Sequence, residues 1–427
     1  MTVLIAGGGI AGLSVALSCQ QVDIPFIVFE TSEEIKPLGV GINLQPNAVR
    51  ELSDLGIKES LQKIGVETQE FGLFSKEGLE IWSEPRGIKA GYKEPQFSVH
   101  RGLLQQLLYN TLKKRNDKDS IKLGYLTKSF EQSPEGVKIK CVNKKTGKNE
   151  HFFGNILIGC DGINSNIRKQ MYPNEGSPIW NGAVLWRGTT HGTPFRTGAS
   201  MVMIGHETQR FVSYPISNPN DKGKAIINWI AELKFEPSIA WPSGDWNKRV
   251  EKSKFIDQFK NWSFDWIDPI KLISESGDVF EYPMVDREPL DKWTFEKTTL
   301  LGDAAHPTYP VGSSGASQAI IDSRKLVFYL KAKGLNNSAL AAYEDEMRPL
   351  TSKITITNRS AGPDALLQVV EDRCEGKFAS INNIITESEL KDHSEKYKTI
   401  AGTNIEKLNN SKGILSSYIR PNFYNYL

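Results

Sequence analysis

The stretch Val3-Leu4-Ile5-Ala6-Gly7-Gly8-Gly9-Ile10-Ala11-Gly12-Leu13-Ser14-Val15-Ala16-Leu17 decides how this chain folds. Val3–Ala6 reads as a short buried strand and Gly7–Gly12 as a turn. Leu13–Gln20 starts a helix, with Leu13, Ala16 and Leu17 on its apolar face. G-x-G-x-x-G between a strand and a helix has a physical reason. Gly7 permits the tight turn, Gly9 lets a pyrophosphate approach the backbone, and Gly12 lets the helix pack closely on the strand. The helix start then offers free N–H groups and the positive end of its dipole to phosphates. Pro25 opens a second apolar run, Phe26–Phe29, closed by Glu30. That acid stands at about the twenty-residue offset where a ribose hydroxyl is met, which argues against a 2′-phosphate. The loop is thus read as holding an FAD- or NAD-type adenosine, without separating the two.

Strand, glycine turn, helix and strand form a βαβ unit, which builds a parallel sheet. Asn47–Leu55, Lys58–Ile64 and Gly102–Arg115 carry helical spacing, the last with Leu103, Leu104, Leu107, Leu108 and Leu112 on one broad face. Thr68–His100 alternates apolar and polar residues, which predicts antiparallel strands leaving the parallel sheet. Asn155–Gly159 and Thr298–Leu301 read as further buried strands, and Gly315–Ala332 as a helix. From Gly182 to Tyr282 strand-like runs dominate (Ala183–Trp186, Ser200–Ile204, Arg210–Pro215, Ala225–Glu232, Val279–Tyr282). Trp186, Trp229, Trp241, Trp246, Trp262 and Trp266 crowd this region. The tail from Leu366 is polar and helix-forming, then loosens around Asn409–Gly413. No internal repeat or low-complexity segment is evident.

Composition fits an ordinary soluble globular protein: 427 residues, 39% hydrophobic, 24% charged and a net charge of +2. Such a balance gives no reason to invoke nucleic acid or a membrane. The cluster Lys113, Lys114, Arg115 and Lys118 reads as a solvated helix end running into a loop. Cys19, Cys141, Cys160 and Cys374 form no C-x-x-C pair and no zinc spacing, so no metal is expected and the thiols suit a reducing compartment. The apolar start has no basic leader and is interrupted by glycines, and no stretch approaches a transmembrane length. A cytoplasmic location is the expectation.

Two further segments repeat the pattern of an acid and a glycine at a strand end. They are Gly159-Cys160-Asp161-Gly162-Ile163-Asn164-Ser165-Asn166-Ile167-Arg168 and Leu301-Gly302-Asp303-Ala304-Ala305-His306-Pro307, the latter running into Pro310-Val311-Gly312-Ser313-Ser314-Gly315. Ligands of open α/β sheets collect at strand C-terminal ends, although either segment alone also reads as a helix cap or a plain turn. Together with the glycine loop, the set resembles the single-component FAD-dependent aromatic hydroxylases, the p-hydroxybenzoate hydroxylase-like family, over Thr2 to about Arg359. It is most similar to the phenazine-modifying branch, typified by 5-methylphenazine-1-carboxylate monooxygenase. The matching stretches are Gly39–Pro46, Trp82–Arg86, Val99–Gly102, Asn228–Trp229, Tyr282–Pro289 and Gly302–Asp322. One departure is Ser317, where many members carry Asn.

The resemblance implies an α/β fold: a Rossmann-type FAD-binding domain with an inserted antiparallel β-sheet substrate domain and a C-terminal helical segment. On this reading 1–70, 99–175 and 285–365 form the FAD-binding domain, 71–98 and 176–284 the substrate-binding sheet, and 366–427 the helical segment. It implies that Gly7, Gly9, Ala11 and Gly12 surround the pyrophosphate and that Glu30 holds the adenosine ribose. Arg101 would contact the ribityl–phosphate region and Asp303 the ribityl or pyrophosphate oxygens. Pro310, Gly312, Gly315 and Ala316 would line the isoalloxazine edge, and Asp161 and Arg168 would serve flavin and nicotinamide in the D-G motif.

The chemistry implied is hydroxylation of a small aromatic or polycyclic heteroaromatic compound, extending to phenazine-like carboxylic acids, by way of a flavin C4a-hydroperoxide. NAD(P)H is a transient cosubstrate and dioxygen the oxidant. A flavin dehydrogenase or oxidase without oxygen insertion is the alternative. The single G-x-G-x-x-G disfavours monooxygenases with two Rossmann modules. Arg187 and Arg287 are candidates for gripping an acidic substrate, weighed against surface ion pairing. Trp186, Trp229, Phe211 and Tyr214 are candidates for an aromatic pocket wall, weighed against plain core. His306 is read as fixing backbone in the flavin loop rather than as a general base. The expected assembly is a monomer or homodimer.

Overall fold

Val3–Ala6 lies inside a six-stranded sheet, flanked in parallel by Ile156–Gly159 on one side and Phe26–Glu30 on the other. Ile121–Leu123 extends the sheet beyond Phe26–Glu30. Thr298–Leu300 extends it beyond Ile156–Gly159 and carries Thr294–Phe295 antiparallel at the edge. All four residues of Val3–Ala6 are fully buried, as a strand covered by helices on both faces must be. The computed structural model describes residues 1–115, 120–236, 248–360, 365–392 and 404–418. Lys118, Trp241 and Trp246 lie outside the described residues.

The first helix spans Ile10–Gln21, so it begins inside the glycine motif, earlier than the apolar spacing alone indicates. The helix Gly315–Lys333 packs directly on it, and Asn337–Ser360 packs on Gly315–Lys333 in turn. Ile10–Gln21 starts at the C-terminal edge of the parallel sheet, directly after Val3–Ala6. The basic end of Arg101–Arg115 is not wholly solvated, since the Arg115 guanidinium donates to the Leu55 carbonyl at 2.9 Å.

A second, seven-stranded sheet runs in the order Phe280–Asp286, Ile179–Gly192, Ala225–Lys234, Gln209–Pro215, Ser200–His206, Glu70–Phe74 and Glu80–Pro85. Its pairs are antiparallel except one: Ser200–His206 meets Glu70–Phe74 in parallel. Those two strands come from distant parts of the chain, so no hairpin dictates their direction. Two smaller antiparallel sheets complete the fold. Gln96–His100 stands between Gly41–Leu44 and Gly65–Thr68. Gly136–Asn143 stands between Tyr125–Ser133 and Asn149–Gly154.

Side chains alternate across the large sheet with period two. One face buries Val184, Trp186, Phe211 and Trp229 against Phe255, Phe259 and Trp262. The opposite face carries Leu185, Arg187, Val212, Tyr214 and Ile230, and it looks toward the parallel sheet. Among the described residues no helix is long and apolar enough to cross a membrane.

Candidate active site

A cavity of about 410 Å³ runs from the glycine turn to the polar–apolar face of the large sheet. Its first wall is the turn itself. A Cβ on Gly7, whose φ is +103°, would sit 2.3 Å from the Cys160 carbonyl oxygen, and a Cβ on Gly12 would sit 1.9 Å from the Gly7 oxygen. Gly9 is different, with nothing within 4 Å of the position a Cβ would take, and it lines the cavity with Ala11. The outer glycines are thus fixed by protein packing, while the middle one keeps backbone open to a ligand.

Two helix starts converge on this space. Ile10–Gln21 has Gly9 as its N-cap and Gly315–Lys333 has Ser314. Neither receives a side-chain capping bond, and neither has an acidic residue in its first turn. Their leading N–H groups are therefore left for an anion or a polarised carbonyl. Asp303, on the turn Gly302–Ala304, lines the cavity close to Ala11: a Cβ on Gly302 would lie 3.1 Å from the Ala11 Cβ. Pro310, Gly312, Gly315 and Ala316 line it too, with Gly312 at φ +80° and Gly315 open on the side a Cβ would fill. Ser317, the departure from the family pattern, accepts the Gln45 N–H at 2.9 Å and so ties the second helix start to the opposite wall.

Glu30 stands next to the turn rather than in the cavity, its two oxygens accepting the N–H groups of Gly8 and Ser32, each at 2.7 Å. Arg101 lines the cavity from the start of its helix. Asp161 turns inward: one oxygen accepts the N–H groups of Asn166 and Ile167 at 2.8 and 3.3 Å, and the other is buried without a partner among the described residues. Burial pushes its carboxyl up, against those bonds. Its neighbours Cys160 and Gly162 reach the cavity, but Asp161 does not.

Gly41 marks the seam with the large sheet. Its N–H donates to Asn228 Oδ1 at 2.7 Å, and its carbonyl accepts from Arg187 Nη2 at 2.8 Å. A Cβ there would meet both Asn228 and the Tyr214 ring at 2.7 Å. Arg187 and Tyr214 therefore face the cavity, as their candidate role requires. Arg187 Nε is buried with no acceptor among the described residues. Burial holds the Tyr214 hydroxyl up at about 12, so it is neutral and can donate.

Five sequence candidates go elsewhere. Trp186 is stacked on Phe255 with centroids 4.7 Å apart, and its indole N–H donates to Glu281 at 3.1 Å, because it alternates with Leu185 and Arg187 onto the far face. Trp229 and Phe211 share that face, so of the four aromatic candidates only Tyr214 reaches the cavity. Arg287 donates to the carbonyls of Ile163 and Gly176 at 3.0 and 3.1 Å and pairs with Glu175, holding loops rather than a ligand. Arg168, 1% exposed, donates to the carbonyls of Ala304 and Ala305 at 3.0 and 2.8 Å. It fastens the D-G segment to the G-D turn without reaching the cavity. The reading also passed over Gln45, Asn43 and Arg210 as cavity residues. The stretch Gly39–Pro46 carried the signal for two of them, as one of the runs shared with the phenazine branch.

His306 lies behind the cavity wall, its Nε2 2.5 Å from Asp322 Oδ2. Burial alone would lower its pKa, but the Asp322 carboxylate overrides burial and holds it above the ordinary value. A raised folded value makes the pair's contribution full below about pH 6.5, the unfolded value, and lost as pH rises through the higher folded one. The melting-temperature gap between wild type and His306→Gln is therefore expected to shrink as pH rises through that window. A gap that widens with pH contradicts the assignment.

These features fit FAD. Open backbone at Gly9 and Gly315, two uncapped helix starts and a connected cavity match a long ligand with a pyrophosphate at one end and a flat head at the other. The match with known proteins agrees. Residues 1–357 match the FAD binding domain family. The chain is 36% identical over 361 residues to a phenazine 1,6-dicarboxylic acid hydroxylase of Lysobacter antibioticus, covering 84% of this chain and 89% of that protein. It is 28% identical to a 3-hydroxybenzoate 6-hydroxylase of Aquipseudomonas alcaligenes, covering 84% and 88%. A Klebsiella pneumoniae protein solved with FAD and uric acid shares the fold at a TM-score of 0.70 and 19% identity, over 96% of this chain and 95% of that one. The chain belongs to the FAD binding domain family and is a flavoprotein monooxygenase.

Proposed function

We propose that the protein hydroxylates a flat aromatic or polycyclic heteroaromatic acid, using NAD(P)H and dioxygen. The observation that carries this is a continuous cavity joining both uncapped helix starts to the inner face of the large sheet. Phenazine 1,6-dicarboxylic acid and 3-hydroxybenzoate, named for two relatives, are both aromatic acids. When bound, FAD supplies the hydride acceptance and the oxygen activation.

The chain's part is binding, orientation and exclusion of water. We assign the pyrophosphate to the N–H groups at Gly9 and Ala11, with Gly7 and Gly12 shaping the turn and Glu30 beside the adenosine ribose. Arg101 and Asp303 serve the ribityl–phosphate stretch, and Pro310, Gly312, Gly315 and Ala316 the edge of the flavin ring. Asp161 acts through its loop. Leu185, Met201, Met203, Val212 and Met284 make the sheet side of the cavity apolar, which keeps water from the reacting atoms. Polarisable thioethers suit a flat ring. Tyr214 and Arg187 set the polar corner at the seam. The domain boundaries at 70/71, 98/99, 175/176, 284/285 and 365/366 are part of the same proposal, as is a cytoplasmic setting for four free thiols.

Purified protein should be yellow, and an aromatic acid should accelerate its NAD(P)H consumption. Labelled dioxygen should place one labelled atom in the product. Oxidised product without label would instead make it a dehydrogenase or oxidase.

A further inference from the structure

The far end of the cavity has its own charged group. Arg86 follows the edge strand Glu80–Pro85 and lines the cavity beside Phe71 and Gln96. Its guanidinium carbon stands 4.9 Å from the centre of the Phe71 ring, and Nη2 pairs with Glu84 at 2.7 Å. The side chain is thereby held beside the ring and fixed on one edge. Its Nε is shut off from water with no acceptor among the described residues. A buried donor left without an acceptor is a standing cost, which a ligand relieves only where the fork rotates to present it.

Of the other cavity arginines, Arg101 lies beside Gly39, and Arg210 is paired with the buried Glu232. Arg187 also has an Nε without an acceptor among the described residues, but it holds the Gly41 carbonyl at the seam. Position matters as much as charge. The flavin loop packs through Tyr309 and Val311 on Leu185, Met284 and Ile230. From Ile230 the register runs through Val212 and Met203 to the strand that carries Phe71. That is three strand spacings, about 14 Å. Between the two ends the floor carries Val212, Met201 and Met203, with the paired Arg210 and Glu232 beside them on the same face. A single aromatic ring cannot lie near the flavin loop and also reach Arg86, whereas a fused polycycle bearing a carboxylate can.

We propose that Arg86 is the carboxylate anchor of the cavity and selects fused polycyclic aromatic acids over single-ring acids. This rests on the aromatic-monooxygenase reading above. The carboxylate takes the guanidinium edge that Glu84 leaves, in the planar geometry only arginine offers.

The test compares wild type, Arg86→Gln and Arg86→Lys as FAD-loaded enzymes of matched melting temperature. Binding of phenazine-1-carboxylate, unsubstituted phenazine and 3-hydroxybenzoate is read from the flavin absorbance change. Arg86→Gln should weaken the tricyclic acid by about 10- to 100-fold, leave unsubstituted phenazine unchanged and leave the single-ring acid unchanged. Arg86→Lys should recover part of the loss. Equal loss for acid and parent, or no loss for the acid, overturns the anchor and leaves the monooxygenase reading standing. A wild type that takes up none of the three ligands overturns both.

Discussion

Gly12→Val is expected to abolish FAD retention and to lower the stability of the apoprotein as well. The added carbon would stand 1.9 Å from the Gly7 carbonyl oxygen and 3.2 Å from Ile5, so only a displaced helix can accommodate it. That helix buries Leu13, Val15, Ala16 and Leu17 against the parallel sheet, and its displacement opens the glycine turn. Overpacking of a filled core costs about 1–3 kcal/mol, and the lost backbone contacts add to it. A fall in FAD affinity of at least ~100-fold is expected, which is about 2.7 kcal/mol. Gly9→Ala separates the two effects. Nothing lies within 4 Å of its missing Cβ, so the apoprotein should melt as wild type does while FAD binding weakens. Fluorescence quenching on FAD titration and the apoprotein melting curve together decide it. Unchanged FAD affinity in both variants would remove the cofactor from this turn.

Legibility in the sequence followed the locality of each constraint. The turn Gly7–Gly12 and the strands around it obey short-range rules, glycine for close approach and an apolar run for burial on both faces, so Val3–Ala6 has the predicted bounds. The cavity wall at the glycine turn was legible for the same reason: Ala11, Asp303, Gly312 and Ala316 are placed by turns and helix starts that their own segments specify. The substrate wall was less so. Trp186 and Arg187 are neighbours in sequence, and alternation puts them on opposite faces, but the sequence does not say which face meets the flavin domain. An aromatic-rich sheet therefore suggested an aromatic pocket, whereas the large rings fill the core behind it and methionines line the front. Arg210 and Glu232 enter the cavity on strands whose facing the sequence leaves open, so no local pattern encodes their place. The sheet of Tyr125–Ser133, Gly136–Asn143 and Asn149–Gly154 passed unread, although Val137, Ile139 and Cys141 alternate with exposed Lys138 and Lys140 as a half-buried strand does.

Arg168→Met should be the most damaging change outside the cofactor turn, because one guanidinium joins segments that sequence treats as separate motifs. Its Nη1 donates to two carbonyls of the turn carrying Asp303, Nη2 to the Glu288 carbonyl at 3.2 Å, and Nε to Glu175 at 2.9 Å. Methionine fills the volume but leaves those acceptors unpaired in a place that water barely enters, with Arg168 only 1% exposed. Breaking a buried pair from one side costs about 3–5 kcal/mol, more than the pair itself contributes. A melting temperature lower by roughly 3–6 °C is expected. FAD should also bind more weakly, since Asp303 loses the contact that sets its turn. Lysine will not rescue either property, because a single ammonium cannot reach carbonyls on both sides and the carboxylate together. If Arg168→Met lowers stability and leaves FAD affinity intact, the Gly302–Ala304 turn holds its shape alone and the two strand-end motifs are coupled only through the fold.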